Sequence, residues 1–274
     1  MELFDSHCHI QSVGAAGGEK STRELWTKGA VTDAAAVIRR ARDAGVTRLL
    51  CVGCDAEDSR LAVAFAEAHD NCWAAIGIHP HEAARYAGDA AARQVFAALA
   101  TRPKVVAVGE CGLDYFYGHS PREAQLALLE FQLKLAQEHE LPMVFHVREA
   151  FDDFWPVFER YHTAANPIRG VLHSFTDSAG HLQRALHHNL YLGVNGIATF
   201  SKNPMQQEVF RSIPLDHLLL ETDAPFLTPV PDRGKICEPR HIRVIGEFLA
   251  AARGESLAIL AQATTRNARQ LFNI

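Results

Sequence analysis

Short apolar runs alternate with helical stretches along the whole chain. Several runs are near-continuous stretches of Val, Ile, Leu and Ala, which is typical of strands buried on both faces. Strands of this kind, separated by helices, form parallel sheets. The eight runs read, in chain order, LFD, RLLCVG, CWAAIG, KVVAVG, PMVFH, GVLHS, LYLGV and LLLE.

The segments between these runs have helical periodicity and recognisable ends. Asp33 and Asp55 stand where helix N-caps are expected. For the helix that follows the fourth run, Ser120 is the predicted cap, with Pro121 at the first helical position and Glu123 completing a capping box. Further helices are predicted in SAGHLQRALHHN, NPMQQEVFRSI, PRHIRVIGEFLAAARG and SLAILAQATTRNARQLF.

Eight strands with helices between them predict a (β/α)8 TIM barrel formed by residues 1–274 as a single α/β domain. An open doubly wound sheet is the alternative. Ligand-grade polar side chains follow nearly every strand, and because a barrel builds its active site at the carboxyl ends of its strands, they favour the barrel. These side chains are His7, His9, Asp55, His79, His81, Glu110, Asp114, His146, Arg148, Glu149, His173, Asn195, Glu221 and Asp223.

Composition narrows the class of protein. The 274 residues are 48% hydrophobic with a formal charge of −5, which argues against a broad phosphate-binding surface but allows a local grip on one or two phosphates. No stretch is long and apolar enough to cross a membrane, and no signal peptide is evident, so the predicted location is cytoplasmic. The six cysteines are therefore expected to be reduced thiols. The pair Cys51 and Cys54 has no second pair to complete a zinc knuckle, so RLLCVG is interpreted as a buried strand that contains Cys51.

The first candidate functional residues are two histidines one residue apart, His7 and His9. Side chains alternate along a strand, so both imidazoles point to one side, where a shared cation would suit them. Taken alone, such a pair more often marks a polar strand end. Four histidines and two carboxylates reach the same mouth, however, and burying them without a cation would leave charge uncompensated. The pattern therefore predicts a metal site.

The motifs at the strand ends resemble, as an ordered set, the TatD family of metal-dependent hydrolases and deoxyribonucleases, which are (β/α)8 barrels of the amidohydrolase kind. The resemblance runs from the first strand to TTRNARQLF at the C-terminus and covers essentially the whole chain. Each motif alone is weak, but the set is very specific. The motifs read DSHCHI, GIHPH, GECGLDY, PMVFHVREA, GVLHSF and LLLETDAPFLTP.

The resemblance implies a site for two divalent metal cations. Nitrogen and oxygen ligands suit Zn, Mn, Co or Fe, and the carboxylates also admit Mg, so the sequence leaves the metal open. Carried over position by position, the ligands would be His7, His9 and Asp223 for one cation and His146 and His173 for the other, with Glu110 bridging the two.

The implied chemistry is hydrolysis by an activated water. Asp223 would be both ligand and general base, acting beside the bridging Glu110. Candidates for binding a scissile phosphate are His79, His81 and Arg148, of which Arg148 could form two parallel hydrogen bonds.

Two of these assignments leave alternatives open. Arg148 could instead pair with Glu149 or Asp152. Glu221 is a candidate for substrate binding, and because it stands two residues before Asp223 it could also support that residue from behind.

The favoured function is that of a deoxyribonuclease that removes nucleotides from the 3′ end of single-stranded DNA, with no membrane and no obligate protein partner. The alternatives are cleavage of another ester or amide bond, such as D-aminoacyl-tRNA deacylation, and a non-catalytic metal-binding scaffold. Two departures from the family pattern bear on the substrate: the long segment 11–30 after the first strand, predicted as a loop, and Cys237 where the family tends to have Asn.

Overall fold

Eight parallel strands form one sheet in chain order in the computed structural model, which describes residues 1–274. A bridge between Cys8 and Ala224 brings the two edges of the sheet together, so it closes as a barrel. The predicted (β/α)8 architecture is confirmed and the open sheet is excluded. The strands are β1 (Leu3–Cys8), β2 (Val46–Val52), β3 (Cys72–Ile76), β4 (Val105–Asp114), β5 (Met143–Arg148), β6 (Gly170–Leu172), β7 (Tyr191–Val194) and β8 (Leu218–Leu220).

Twelve helices connect and cover the strands, five more than the sequence pattern predicts. None of them is both long and apolar enough to span a bilayer. They are α1 (Lys20–Lys28), α2 (Ala34–Asp43), α3 (Ala56–Glu67), α4 (Ala83–Tyr86), α5 (Ala90–Ala100), α6 (Arg122–Glu138), α7 (Phe151–Tyr161), α8 (Ala179–His187), α9 (Ile197–Phe200), α10 (Pro204–Ser212), α11 (Ile242–Arg253) and α12 (Leu257–Phe272).

Two of the predicted N-caps are present and one is wrong. The carboxylates of Asp33 and Asp55 accept backbone N–H groups in the first turns of α2 and α3. Ser120 does not cap α6: its hydroxyl donates to the carbonyl of His81 at 2.6 Å and accepts from the N–H of Ala84 at 3.0 Å. Ser120 thus connects the segment after β4 to the segment after β3, because its hydroxyl bonds to His81 and Ala84 and not to the backbone N–H groups of α6.

Apolar side chains fill the barrel in two layers. The larger cluster lies between the strands and the surrounding helices, and it includes Trp155 and Phe158 of α7. A smaller cluster takes alternate residues of the strands, such as Phe4 and Val144, and is completed by Phe272 at the end of α12. This packing leaves the carboxyl ends of the strands as the face that carries polar groups.

The segment 11–30 is not the long loop expected from its sequence. It contains α1, whose first turn is capped by the Glu19 carboxylate through the N–H groups of Ser21 and Thr22. The indole N–H of Trp26, which is 1% exposed, donates to the carbonyl of His9 at 3.1 Å. Helix α1 is therefore attached directly to the strand end that carries the two N-terminal histidines.

Candidate metal centre

The six side chains expected as metal ligands converge at the carboxyl ends of the strands, with Glu110 in the middle. Its Oε1 lies 2.9 Å from Nδ1 of His146 and 3.4 Å from Nε2 of His173, while its Oε2 lies 3.3 Å from Nε2 of His7. Burial opposes ionisation of Glu110, but His173, His79 and His7 outweigh it and hold its pKa well below the usual range. A carboxylate facing imidazoles on both oxygens is placed to bridge two ligand groups.

The second carboxylate, Asp223, faces the histidine pair of β1. Its Oδ1 lies 3.6 Å from Nε2 of His7 and 3.4 Å from Nε2 of His9. The structure therefore brings together the first group of three expected ligands. Burial opposes ionisation of Asp223, but the hydrogen bond from His9 and the neighbouring imidazoles lower its pKa.

Asp5 helps to place these residues. Its carboxylate accepts the backbone N–H of Thr222 at 2.9 Å and the Thr222 hydroxyl at 2.6 Å. The N–H of Asp223 donates to the carbonyl of His7 at 2.9 Å. Complete burial raises the pKa of Asp5 to about 8. These bonds connect the start and the end of the barrel directly beneath the candidate ligands.

Each candidate histidine ligand has an outer ring nitrogen, which faces away from the carboxylates of Glu110 and Asp223. In three of the four, this outer nitrogen lies close to an acceptor. Nδ1 of His9 lies 2.8 Å from the Val52 carbonyl, and Nδ1 of His173 lies 3.0 Å from Oε1 of Glu221. In His146 the outer nitrogen is Nε2, 3.0 Å from Oδ2 of Asp114. A proton on the outer nitrogen leaves the inner one with a free lone pair, and this is how metal-bound histidines are held in proteins.

The buried charges of the centre also fit a cation. Both ring nitrogens of the fully buried His7 lack a hydrogen-bond partner, although its Nε2 faces two carboxylates. Burial opposes protonation of His173, but Glu221 and Glu110 outweigh it and raise its pKa to about 10. The buried carboxylates of the centre are thus stabilised by positive charge next to them, and a divalent cation would supply that charge in place of protons.

Glu221 lies behind His173 and away from the mouth. It is 1% exposed and its Oε1 accepts the N–H of Ser174 at 2.6 Å. Space for the carboxylate comes from Gly193 in β7, where a Cβ atom would meet Oε2 of Glu221 at 2.2 Å. This placement favours support of His173 over contact with substrate.

His79, the first of the two histidines after β3, is placed as a hydrogen-bond donor. Nδ1 of His79 accepts the backbone N–H of His81 at 3.2 Å, so the ring proton of a neutral His79 is on Nε2, which lies 3.6 Å from Oε1 of Glu110. Burial lowers the pKa of His79 well below its usual value, which keeps the ring neutral. A neutral ring with an N–H directed into the site is a hydrogen-bond donor, as a phosphate oxygen requires.

Arg148 has neither of the ion pairs that its neighbours could have supplied. No carboxylate lies within 4.0 Å of its guanidinium, including those of Glu149 and Asp152. The guanidinium instead stacks on the ring of Phe116, with 3.9 Å between its carbon and the ring centroid.

Asp114 is the residue whose role the sequence does not reveal. Its fully buried carboxylate accepts from His146 and His81, both at 3.0 Å on Oδ2. Hydrogen bonds from His146 and His81 lower the pKa of Asp114 far below its usual value against the opposing effect of burial. The only signal was its position in GECGLD at the end of β4, which the ordered motif set already contained.

The cysteines form no disulfide bonds, and Cys51 lies in β2 as predicted. All six are buried. Cys237 is fully buried, and its N–H donates to the carbonyl of Pro225 at 3.2 Å. Cys54 Sγ lies 3.8 Å from Nδ1 of His9, next to the centre.

A closed α/β barrel with buried histidines and carboxylates at the carboxyl ends of its strands defines a metal-dependent hydrolase of the amidohydrolase kind. The family model described as TatD related DNase matches residues 4–273, so the chain belongs to the TatD family. The family predicted from the motifs, and the class of hydrolase that it implies, are thereby confirmed.

Similar proteins support the same family. The metal-dependent hydrolase YabD of Bacillus subtilis (strain 168) is 35% identical over 272 residues, which cover 99% of each chain. The 3′-5′ ssDNA/RNA exonuclease TatD of Escherichia coli (strain K12) is 35% identical over 245 residues, 87% of this chain and 92% of that protein. The crystal structure of the TatD homologue YJJV from Escherichia coli K12 superposes with a TM-score of 0.84 at 29% identity, covering 99% of this chain and 98% of that one.

Proposed function

We propose that this chain is a metal-dependent exonuclease that removes nucleotides from the 3′ end of single-stranded DNA, with residues 1–274 acting as a single hydrolase domain. Relatives named as 3′-5′ ssDNA/RNA exonucleases share 35% to 38% identity with it. A barrel mouth admits a free strand end more easily than the stacked backbone of a duplex interior. A cytoplasmic location stays a prediction, and so does the absence of an obligate protein partner.

The proposal includes two divalent cations, of Mg, Mn, Zn, Co or Fe. The observation that carries it is the orientation of three histidines: His9 and His146 hydrogen-bond outward to the Val52 carbonyl and Asp114, and Nδ1 of His173 lies 3.0 Å from Glu221, so that each directs its other nitrogen toward the two central carboxylates. His7, His9 and Asp223 would hold one cation, His146 and His173 the other, and Glu110 both.

Bound cations would lower the pKa of a water and stabilise the charge of an in-line displacement at phosphorus. Asp223 is ionised and 15% exposed at its side chain, so it is the carboxylate that can orient this water and take its proton. The oxygen of the water bonds to phosphorus while the bond from phosphorus to the leaving sugar oxygen breaks.

Three side chains at the mouth would hold the phosphate. Nε2–H of His79 is directed into the centre and can donate to a phosphate oxygen. The guanidinium edge of Arg148 has no protein partner and can donate two parallel hydrogen bonds. His81 would act with them at the edge of the mouth, held by Asp114.

The test is a time course on two substrates, a 5′-end-labelled single-stranded oligonucleotide and a closed single-stranded circle, with Mg or Mn and with a chelator. We expect stepwise shortening of the linear strand, no cutting of the circle and no activity under chelation. Rapid cutting of the circle would contradict the end-first model. If the enzyme is inactive on DNA but hydrolyses aminoacyl esters, the ester alternative replaces the proposal. The same time course on RNA oligonucleotides measures the preference for deoxyribose or ribose.

A further inference from the structure

Two exposed aromatic rings lie at the mouth of the barrel. Phe116 is 50% exposed and Tyr117 is 51% exposed, and they are the only aromatic residues among the large hydrophobic side chains that the structure leaves exposed. Their ring centroids are 4.8 Å apart with the planes perpendicular. Exposing two adjacent rings is unfavourable in water, and the core offers many buried aromatic positions, so an exposed pair at this place calls for an occupant.

A cation without an acidic partner completes the group. The guanidinium of Arg148 lies 3.9 Å from the ring centroid of Phe116 and 4.8 Å from that of Tyr117. Stacking uses the face of a guanidinium and leaves its N–H edge free for an anion. Rings for a planar apolar group and a free cationic edge for a phosphate are therefore side by side.

The rings are fixed to the metal centre through one carboxylate. Oδ1 of Asp114 accepts the N–H groups of Phe116 and Tyr117 at 3.0 and 3.1 Å, while its Oδ2 holds His146. The Tyr117 ring is 5.3 Å, centroid to centroid, from the ring of His81. A substrate gripped at the centre thus has these rings within reach of its neighbouring group.

We propose that Phe116 and Tyr117, together with Arg148, form a nucleobase-binding subsite that stacks a base of the nucleotides flanking the scissile phosphodiester. The inference rests on the proposed function, since it requires a polynucleotide substrate. Every nucleobase has an aromatic face, so this subsite would grip the strand end without selecting a sequence. Stacking also provides affinity that does not require a net positive surface, in a chain of charge −5.

The test uses the full enzyme and the variants Phe116→Leu, Tyr117→Leu and the double variant, which keep apolar bulk but lose aromatic stacking. The conservative variants Phe116→Tyr and Tyr117→Phe keep an aromatic ring and should retain stacking. Ile259→Ala, which removes another exposed apolar side chain on α12, is the matched control. For the double variant we expect kcat/KM on single-stranded DNA to fall by roughly 10- to 100-fold, from base stacking alone.

Abasic substrates separate stacking from general damage. The abasic sugar is placed either at the terminal or at the penultimate position of the strand. At one of these two positions it should slow the wild-type enzyme by about the same factor as the double substitution does. The double variant should not distinguish the abasic strand from the intact one. Equal discrimination by wild type and double variant would overturn the subsite.

A binding measurement keeps the inference independent of turnover. Oligonucleotides with 2-aminopurine at either of the two positions, bound with Ca in place of the active metal, should lose fluorescence on wild type and on the control but not on the double variant. Quenching without cleavage under any metal would reject the exonuclease and retain the subsite. Cleavage with identical quenching by all variants, or no binding of the oligonucleotide, would reject the subsite.

Discussion

The buried metal centre and the exposed mouth beside it are built in opposite ways. In the centre the histidines are oriented by groups behind them: His9 and His146 hydrogen-bond to a carbonyl and a carboxylate, and Nδ1 of His173 lies 3.0 Å from Oε1 of Glu221. At the mouth, Arg148 and the rings of Phe116 and Tyr117 contact one another, and both rings stay half exposed although His119 also stacks on Tyr117. The two regions are joined by Asp114, which accepts hydrogen bonds from both.

Each region is suited to hold a different kind of ligand. Positions fixed by second hydrogen bonds suit an ion, whose ligands must keep one geometry. Stacking contacts tolerate movement and different bases, which suits a strand that advances after each cut. If this division is right, changes in the centre act on turnover and metal content, while changes at the mouth act on substrate binding.

The largest effect is expected from Asp223→Asn. The amide keeps an oxygen near His9 but cannot take a proton, and since general-base steps are worth roughly 10²- to 10⁴-fold, kcat should fall by that factor. Bound metal, measured by elemental analysis, should remain at the His146 and His173 side. A near wild-type kcat would show that Asp223 is neither an essential ligand nor the base.

The next effect is expected from Glu221→Gln, which weakens the acceptor behind His173. Loss of such a supporting carboxylate typically lowers metal affinity by about 10- to 100-fold. Gly193→Ala should act in the same direction, because the added Cβ displaces the same carboxylate. Metal titration against a competing chelator measures both, with Glu247→Gln on the exposed face of α11 as control. Unchanged metal affinity in both variants would remove Glu221 from the centre.

A moderate effect is expected from Arg148→Ala. KM for single-stranded DNA should rise while metal content stays constant, because the guanidinium contacts no candidate ligand. With few cations at the mouth, the dependence of binding on salt should be shallow and become shallower in the variant. Arg243→Ala, which removes an exposed arginine paired with Glu247, is the control. A lowered metal content in Arg148→Ala would contradict the separation of the two regions.

The smallest effect concerns α1, the helix attached to His9. Glu19→Ala should cost about 1 kcal/mol of unfolding free energy, the usual worth of an N-cap. Burial opposes ionisation of Glu19, but hydrogen bonds from Thr22 and Ser21 outweigh it and lower its pKa in the folded state. Its stabilisation is therefore present above the unfolded pKa of about 4.3 and is lost as the pH falls through the lower folded value.

Urea unfolding of wild type and Glu19→Ala at about pH 7 and at about pH 3 measures this difference, which should shrink at the acid pH. The mouth and the metal content should be unaffected. A difference that grows with acid would assign the stabilisation to another group.

The strands were the most predictable part of the molecule. All eight runs form strands because segments buried on both faces carry a local, near-continuous apolar signal. The helices α4, α5 and α7 were not predicted, since their stability comes mainly from packing on the barrel. Ser120 shows the same limit, because the partners that drew it away from α6 are distant in sequence.

The barrel, the family and the six side chains that meet at its mouth could be predicted from the chain alone, because strand order and chain direction dictate which residues share one face. How those side chains are used depends on the folded arrangement. The orientation of each histidine, the position of Glu221 behind His173 and the stacking of Arg148 on Phe116 depend on neighbours from other segments of the chain. Hydrogen bonds and stacking act over a few ångströms in space, and a linear pattern contains no such distances.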